Sequence, residues 1–385
     1  MIDHLFLYLF FVIVFFILFY DMLKMNGKGY IKTYNIVFIF IAVITAFRYG
    51  TGMDTGNYMV AYSYMPKIQD INAFTFITFR FQPLYTLLCC LCMSVTDDFT
   101  LMQVVHVLIY YPALYLLLKR LGLRKFYILL LFFCYPYFVS GQSAIREGLA
   151  LGFCFYALLF YFQNRWIPYY ILVTIGIGFH IGAILFYMLP LVKLYSIKVH
   201  LSLRGLIYFI GAFLLTSMLF FYVQSYYHLD TGDNNLSRYQ IENNGISILT
   251  LLRNLCAIII LYIFCFKKKY EQYRDLIYLG VLYVMIDLIS SSFLPILYRF
   301  SAHLMVFFFF CVKLLFNEVY LKKNAIAGLI CAFIMFYQPI ARYYSLMSGE
   351  LTGPLLKYCS VFASEKEKSY FTAQIINSTA ADYFE

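Results

Sequence analysis

The chain has 385 residues, of which 63% are hydrophobic and only 12% charged. A soluble domain carries about 25% charged residues, so the composition excludes an ordinary globular enzyme. The formal charge of +10 sits mostly in short segments between apolar runs, where it reads as membrane topology rather than as a nucleic-acid surface.

The apolar runs recur from one end of the chain to the other. They do not alternate apolar with polar, as barrel strands would. Many are near the ~20 residues that cross hydrocarbon as a helix, and several are shorter, as broken or re-entrant helices are. The expected fold is therefore all-α, a polytopic transmembrane bundle of about 13 helices (12–14). The spans fall at 4–23, 34–47, 79–96, 100–118, 126–140, 144–162, 167–179, 181–195, 205–223, 247–266, 276–294, 299–316 and 324–340. The first lacks a basic start and a small-residue cleavage site, so it reads as a retained helix. Residues 1–340 form one helical domain on this reading, and 341–385 an extracytoplasmic tail, partly disordered.

From residue 100 onward the basic residues alternate between loops. Lys119, Arg120, Arg124 and Lys125 lie in one loop, Arg165 in a later one, then Lys193, Lys198 and Arg204, then Lys267–Lys269 and Arg274, then Lys322 and Lys323. That set is expected to be cytoplasmic. The opposite face then receives 139–146, the turn at His180, the polar loop 224–246 and the turn before Arg299. In the first quarter Lys24, Lys28 and Lys32 look cytoplasmic and Arg48 external, which leaves the count one crossing short before residue 100. Either residues 50–80 contain a crossing or dip, or the first pair is inverted.

The ten cysteines lie mostly inside apolar runs, as Cys89, Cys90, Cys92, Cys134, Cys154, Cys256 and Cys265 do. They read as small buried side chains, without metal-type spacing. No cofactor is expected. The many tyrosines near run ends suit a headgroup layer.

Ionisable residues in or beside a span are costly and mark candidate function. In FRYGTGMDTGNY, Arg48 precedes Asp54 by six residues. Gly50, Gly52 and Gly56 permit a tight backbone whose N–H groups suit a phosphate. In SGQSAIREGLALGF, Arg146 and Glu147 open a span just after Gln142 and Ser143. A helix start favours an anion, and an arginine there strengthens it. His180, in GIGFHIGAIL, lies on an outer turn, where it is a candidate base or phosphate donor. In PILYRFSAHL, Arg299 and His303 are four apart and share a helix face. Asp287, near mid-span, is a candidate counter-charge for one of these arginines or a structural partner. Arginines converging on one membrane face fit a ligand with two or more negative charges, such as a diphosphate.

Those four stretches resemble the EpsG family of bacterial polysaccharide polymerases. FRYGTGMDTGNYMVAYSYM is similar to that family's Arg-x-Gly-x-Gly-x-Asp-x-x-x-Tyr stretch, which adds Tyr58 to the candidates. SGQSAIREGLALGF resembles its Arg-centred helix start, with Glu147 where Gln is common. FHIGAILFYMLPL resembles its Phe-His-x-Ser-Ala turn, with Gly182 in place of Ser, and LYRFSAHL its late Arg-centred start. The aromatic after Asp54 is delayed to Tyr58, and a common Glu-Pro reads Gln82-Pro83.

The resemblance implies a Wzy-like O-antigen or capsule polymerase of the GT-C-type membrane glycosyltransferase architecture. It would join oligosaccharide units carried on undecaprenyl diphosphate, at the outer face of the bacterial cytoplasmic membrane. Its partners would be the lipid-linked donor and acceptor, the bilayer and a chain-length regulator protein, with no nucleic acid. Catalytic candidates are His180, Asp54, Arg146 and Arg299, with His180 or Asp54 as the base. Substrate-binding candidates are Arg48, Gly52, Tyr58, Gln142, Glu147 and His303. A lipid-linked oligosaccharide flippase, an O-antigen ligase and a membrane O-acyltransferase are the rival functions. The flippase should show an internal repeat, which is not evident.

Overall fold

A computed structural model describes residues 28–49, 54–79, 81–134, 144–198, 268–292 and 298–322, together with Phe362. Every regular element among the described residues is a helix. The chain divides into two compact units, one comprising residues 1–186 and 336–385 and the other residues 187–335. The expected spans 4–23, 205–223, 247–266 and 324–340, the loop 224–246 and nearly all of the tail lie outside the described residues.

The first unit is organised on α5 (Thr100–Arg120), which buries Met102, Gln103, His106, Tyr110, Leu114 and Leu117. Against one side runs α1 (Lys28–Ala46). Asn35 accepts from the Tyr115 hydroxyl at 3.0 Å, and the Thr45 hydroxyl meets that of Tyr111 at 2.9 Å. Rising numbers on α1 thus meet falling numbers on α5, so the two are antiparallel. The start of α1 lies by the basic loop: Tyr30 accepts from the Phe126 amide at 3.0 Å, and Lys125 sits 5.3 Å from its ring. Arg48 therefore belongs to the end opposite Lys119, Arg120, Arg124 and Lys125. On the outward side of α1, Ile36, Ile39, Phe40 and Val43 are exposed. Their i, i+3, i+4, i+7 spacing makes one apolar stripe, as a lipid-facing helix requires.

Against α5 also packs α7 (Ile145–Tyr161). The contact is close because Gly152 has no side chain: a Cβ there would lie 2.9 Å from the Ile109 side chain and 3.2 Å from its carbonyl oxygen. Small residues let helix backbones approach in this way. Gly152→Leu should lower the melting temperature of the detergent-purified protein sharply, since overpacking costs about 1–3 kcal/mol or more. Gly152→Ala should shift it less, and an unchanged melt for the leucine variant would refute the contact.

The turn Phe162–Arg165 reverses the chain into α8 (Trp166–Phe179). Asn164 holds a positive φ of 56° there, tolerable for asparagine. The rings of Tyr161 and Tyr169 pack at 6.0 Å near the turn, while those of Phe153 and Phe179 stack at 5.4 Å farther along. The antiparallel hairpin returns His180 to the end of the unit where α7 begins.

Two helices are long and apolar enough to cross a membrane among the described residues, Gly29–Ala46 and Thr100–Arg120. The expected span 79–96 differs from what is seen. Its helix, α4 (Pro83–Val95), begins four residues later, and α3 (Ala73–Phe79) precedes it at a bend of 107°. Pro83 is the cause: it opens α4, and it pushes Gln82 into an extended conformation with ψ 144°. The uncertain stretch 50–80 contains α2 (Thr55–Ser63), a short 3-10 turn at Ile68–Asp70, and α3. None of these is by itself long enough to cross, and α3 with α4 forms a broken span or a re-entrant loop.

In the second unit, a 3-10 turn at Lys268–Tyr273 leads into α10 (Arg274–Ser292), which pairs with α11 (Tyr298–Lys322). The short helix α9 (Leu189–Lys198) packs on α10. Tyr283 packs on Phe308 at 4.8 Å, and Gly280 lies against Phe307 and Cys311. The pairing is antiparallel, and its register sets Asp287 level with His303. Both side chains are buried.

Candidate functional site

Arg146 is the second residue of α7, and it is only partly buried. Its Nε donates to the Tyr58 hydroxyl at 3.2 Å, and one terminal nitrogen donates to Gln82 Oε1 at 3.1 Å. The guanidinium carbon lies 4.7 Å from the Phe81 ring centre, 5.4 Å from that of Tyr58 and 5.9 Å from that of Tyr85. The three rings also pack on each other, with centroids 5.3–6.2 Å apart. No carboxylate pairs with Arg146 among the described residues. Aromatic faces and neutral oxygens hold the cation without cancelling its charge.

Each wall of this cage has a local cause. Pro83 ends the preceding chain in an extended form and so sets Phe81 and Gln82 at the mouth of α4. Tyr58 comes from α2, one turn after Asp54, whose carbonyl accepts from the Tyr58 amide at 3.1 Å. Tyr58 is buried, and burial pushes its phenol above the ordinary value while the Arg146 charge pulls it back. The phenol is thus neutral and serves as a hydrogen-bond acceptor to Arg146. Asp54 is exposed at the start of α2 and raises the Tyr58 value through its charge. A carboxylate therefore stands within one helical turn of the cage.

Glu147 follows Arg146 but turns inward and is buried. His180 is also buried, where the chain leaves α8 in an extended conformation, φ −156° and ψ 128°. Its Nδ1 accepts from the Gly182 amide at 3.2 Å, which leaves Nε2 as the proton-bearing nitrogen of the neutral ring. The imidazole is thus set to donate a hydrogen bond. Gly178 abuts Leu84, two residues beyond Gln82, so the His180 turn and the Arg146 cage share one end of the unit.

Arg48 lies just beyond α1 and is fully buried, at 0% exposure. Its guanidinium folds back onto the Thr45 carbonyl rather than standing out as a headgroup anchor. Gly52 and Gln142 lie outside the described residues. Arg299 occupies the first turn of α11 in the second unit, one turn before the buried His303. The first unit thus brings together Arg146, Tyr58, Asp54 and the His180 turn. Phe81, Tyr85 and Gln82 complete the cage. Two aromatics in an apolar run read as core, and the only sequence signal for them is the Gln82-Pro83 break. No group of three metal-ligating side chains is found among the described residues.

This is a helical membrane chain carrying a caged arginine, without a carboxylate partner among the described residues, at one end of a helix bundle. It belongs to the EpsG family, whose model matches residues 31–360. That membership suggests a polysaccharide polymerase-like role with lipid-linked substrates in a membrane. Comparison with curated proteins and with solved structures gives no match.

Proposed function

We propose that the chain is a polysaccharide polymerase of the O-antigen or capsule type. It joins oligosaccharide units carried on undecaprenyl diphosphate at the outer face of the bacterial cytoplasmic membrane. The observation that carries this reading is the Arg146 cage, a guanidinium fixed by Tyr58, Gln82 and three aromatic faces and left with its charge. A diphosphate leaving group needs electrostatic stabilisation more than protonation, and a fixed cation in a low-water site supplies it. The antiparallel pairing of α1 with α5 supports the outer face. It sets the start of α5 and Arg48 at the end opposite the basic loop 119–125, which is the cytoplasmic end by the charge rule.

The reaction forms one glycosidic bond and breaks one. The acceptor hydroxyl attacks the anomeric carbon of the donor's first sugar. The bond from that carbon to the diphosphate oxygen breaks, and undecaprenyl diphosphate leaves with the electron pair beside Arg146. We take Asp54, at the start of α2 one turn from Tyr58, as the carboxylate that accepts the hydroxyl proton. His180, on the turn at the same end of the unit, is the alternative base.

The test is reconstitution. Purified protein given a lipid-linked repeat unit should produce a ladder of polymer lengths on a gel. A demonstrably correct substrate that yields no ladder, while labelled lipid crosses vesicle membranes intact, would replace this reading with a transporter.

A further inference from the structure

Beside the Arg146 cage, one helical turn farther along α2, lies a separate cleft of about 200 Å³. Arg48, Tyr62, Asp97, Asp98, Phe99 and Gln103 form most of its wall. It joins the end of α1 to the beginning of α5, and none of the steps above uses it. Tyr62 separates it from the cage by one helical turn, since Tyr58 faces Arg146.

Gln103 gives the cleft its meaning. The side chain is 1% exposed, and its Nε2 has no hydrogen-bond partner among the described residues. Buried amides are nearly always paired, so one left open against a cleft is a donor kept for a ligand. Asp98 uses one carboxylate oxygen to accept from the Thr100 amide at 2.8 Å, and the other oxygen remains. Asp97 is exposed beside it. The Tyr62 hydroxyl donates to the Thr96 carbonyl at 2.8 Å, so its oxygen is left as an acceptor.

The charges select the ligand class. One guanidinium and two carboxylates line the cleft, so its formal charge is negative, which disfavours a phosphate. Mixed donors and acceptors beside the aromatic side chains of Tyr49, Tyr62 and Phe99 match a ring of neutral hydroxyls. Its volume lies below the ~300–1,000 Å³ of sites for drug-sized molecules, which leaves room for about one sugar ring.

We infer that the Gln103 cleft is a monosaccharide subsite that holds one neutral sugar ring of the lipid-linked repeat unit next to the diphosphate site. The assignment rests on the polymerase reading for the source of the sugar, but not for its chemistry. The subsite orients the oligosaccharide while Arg146 holds the diphosphate end of a donor.

The test uses the full chain in nanodiscs and saturation-transfer NMR. The probes are the free sugars recovered by hydrolysing, and the methyl glycosides recovered by methanolysing, the producing cell's own polysaccharide. At least one neutral sugar should receive saturation. Gln103→Leu should weaken that binding about tenfold, the worth of a hydrogen bond to a buried group. It removes an open amide from the interior, so the variant should melt no lower than the parent. Asp97→Asn, an exposed change, should weaken it as well, and Arg146→Ala should leave it intact. Inorganic diphosphate should not compete. Absence of any sugar signal sensitive to Gln103, or displacement by diphosphate, would overturn the subsite even if a polymer ladder forms. A Gln103-dependent sugar signal without a ladder would sustain the subsite and defeat the polymerase.

Discussion

Arg146→Ala is expected to reduce polymer formation by roughly a hundred- to a thousandfold while the protein still inserts and purifies. The guanidinium is the charge that the Tyr58, Gln82 and Phe81 cage holds without neutralising. Removing it leaves the departing diphosphate without its counter-charge, an effect confined to the bond-breaking step. Arg146→Lys should recover little. An ammonium cannot donate in a planar fork to the phenol and the amide while lying flat over the rings. Initial rates of ladder formation on matched amounts of reconstituted protein measure both variants. Full activity in Arg146→Ala would remove the main support for the mechanism.

Asp54→Asn should also cost about 10²–10⁴-fold in rate, the range for a general base. Asp54 stands at the head of α2, one turn from Tyr58, and it is open to solvent. The substitution keeps size and polarity but cannot take up the acceptor's proton. Binding of the lipid-linked substrate should change little, which separates this variant from a folding defect. The alternative base, His180, has its Nδ1 engaged by the Gly182 amide. Full activity in Asp54→Asn with none in His180→Ala would return the proton to the imidazole.

Much of the helical plan was legible because apolar length is a strong signal. The expected 100–118, 144–162 and 167–179 correspond to α5, α7 and α8 within two residues. The bend at the start of the 79–96 span was not legible, since hydropathy averages over Pro83 and hides the break that it imposes. The pairing of α1 with α5 was likewise out of reach: it depends on Asn35, Thr45, Tyr111 and Tyr115 meeting across 66–80 residues of chain.

At the site, Arg146 was legible because a charge at a helix start in a membrane chain is costly. Tyr58 came from the family resemblance, and its reason is now physical: it is the phenol that accepts from Arg146. Phe81, Tyr85 and Gln103 were hidden by their surroundings. An aromatic pair four apart looks like packing, and one amide in a 21-residue apolar helix looks like a tolerated polar residue. Arg48 was expected to contact phosphate, yet its place beside Asp97, Asp98 and Gln103 gives it a different neighbourhood. Spacing along the chain does not report which loops meet.

The most direct measurement is the count of undecaprenyl diphosphate released per glycosidic bond formed by the purified protein in vesicles. One diphosphate lipid per new bond, with both signals lost together in Arg146→Ala, is the predicted result. Intact lipid-linked units moving between leaflets, with no diphosphate released and no bond made, would contradict it.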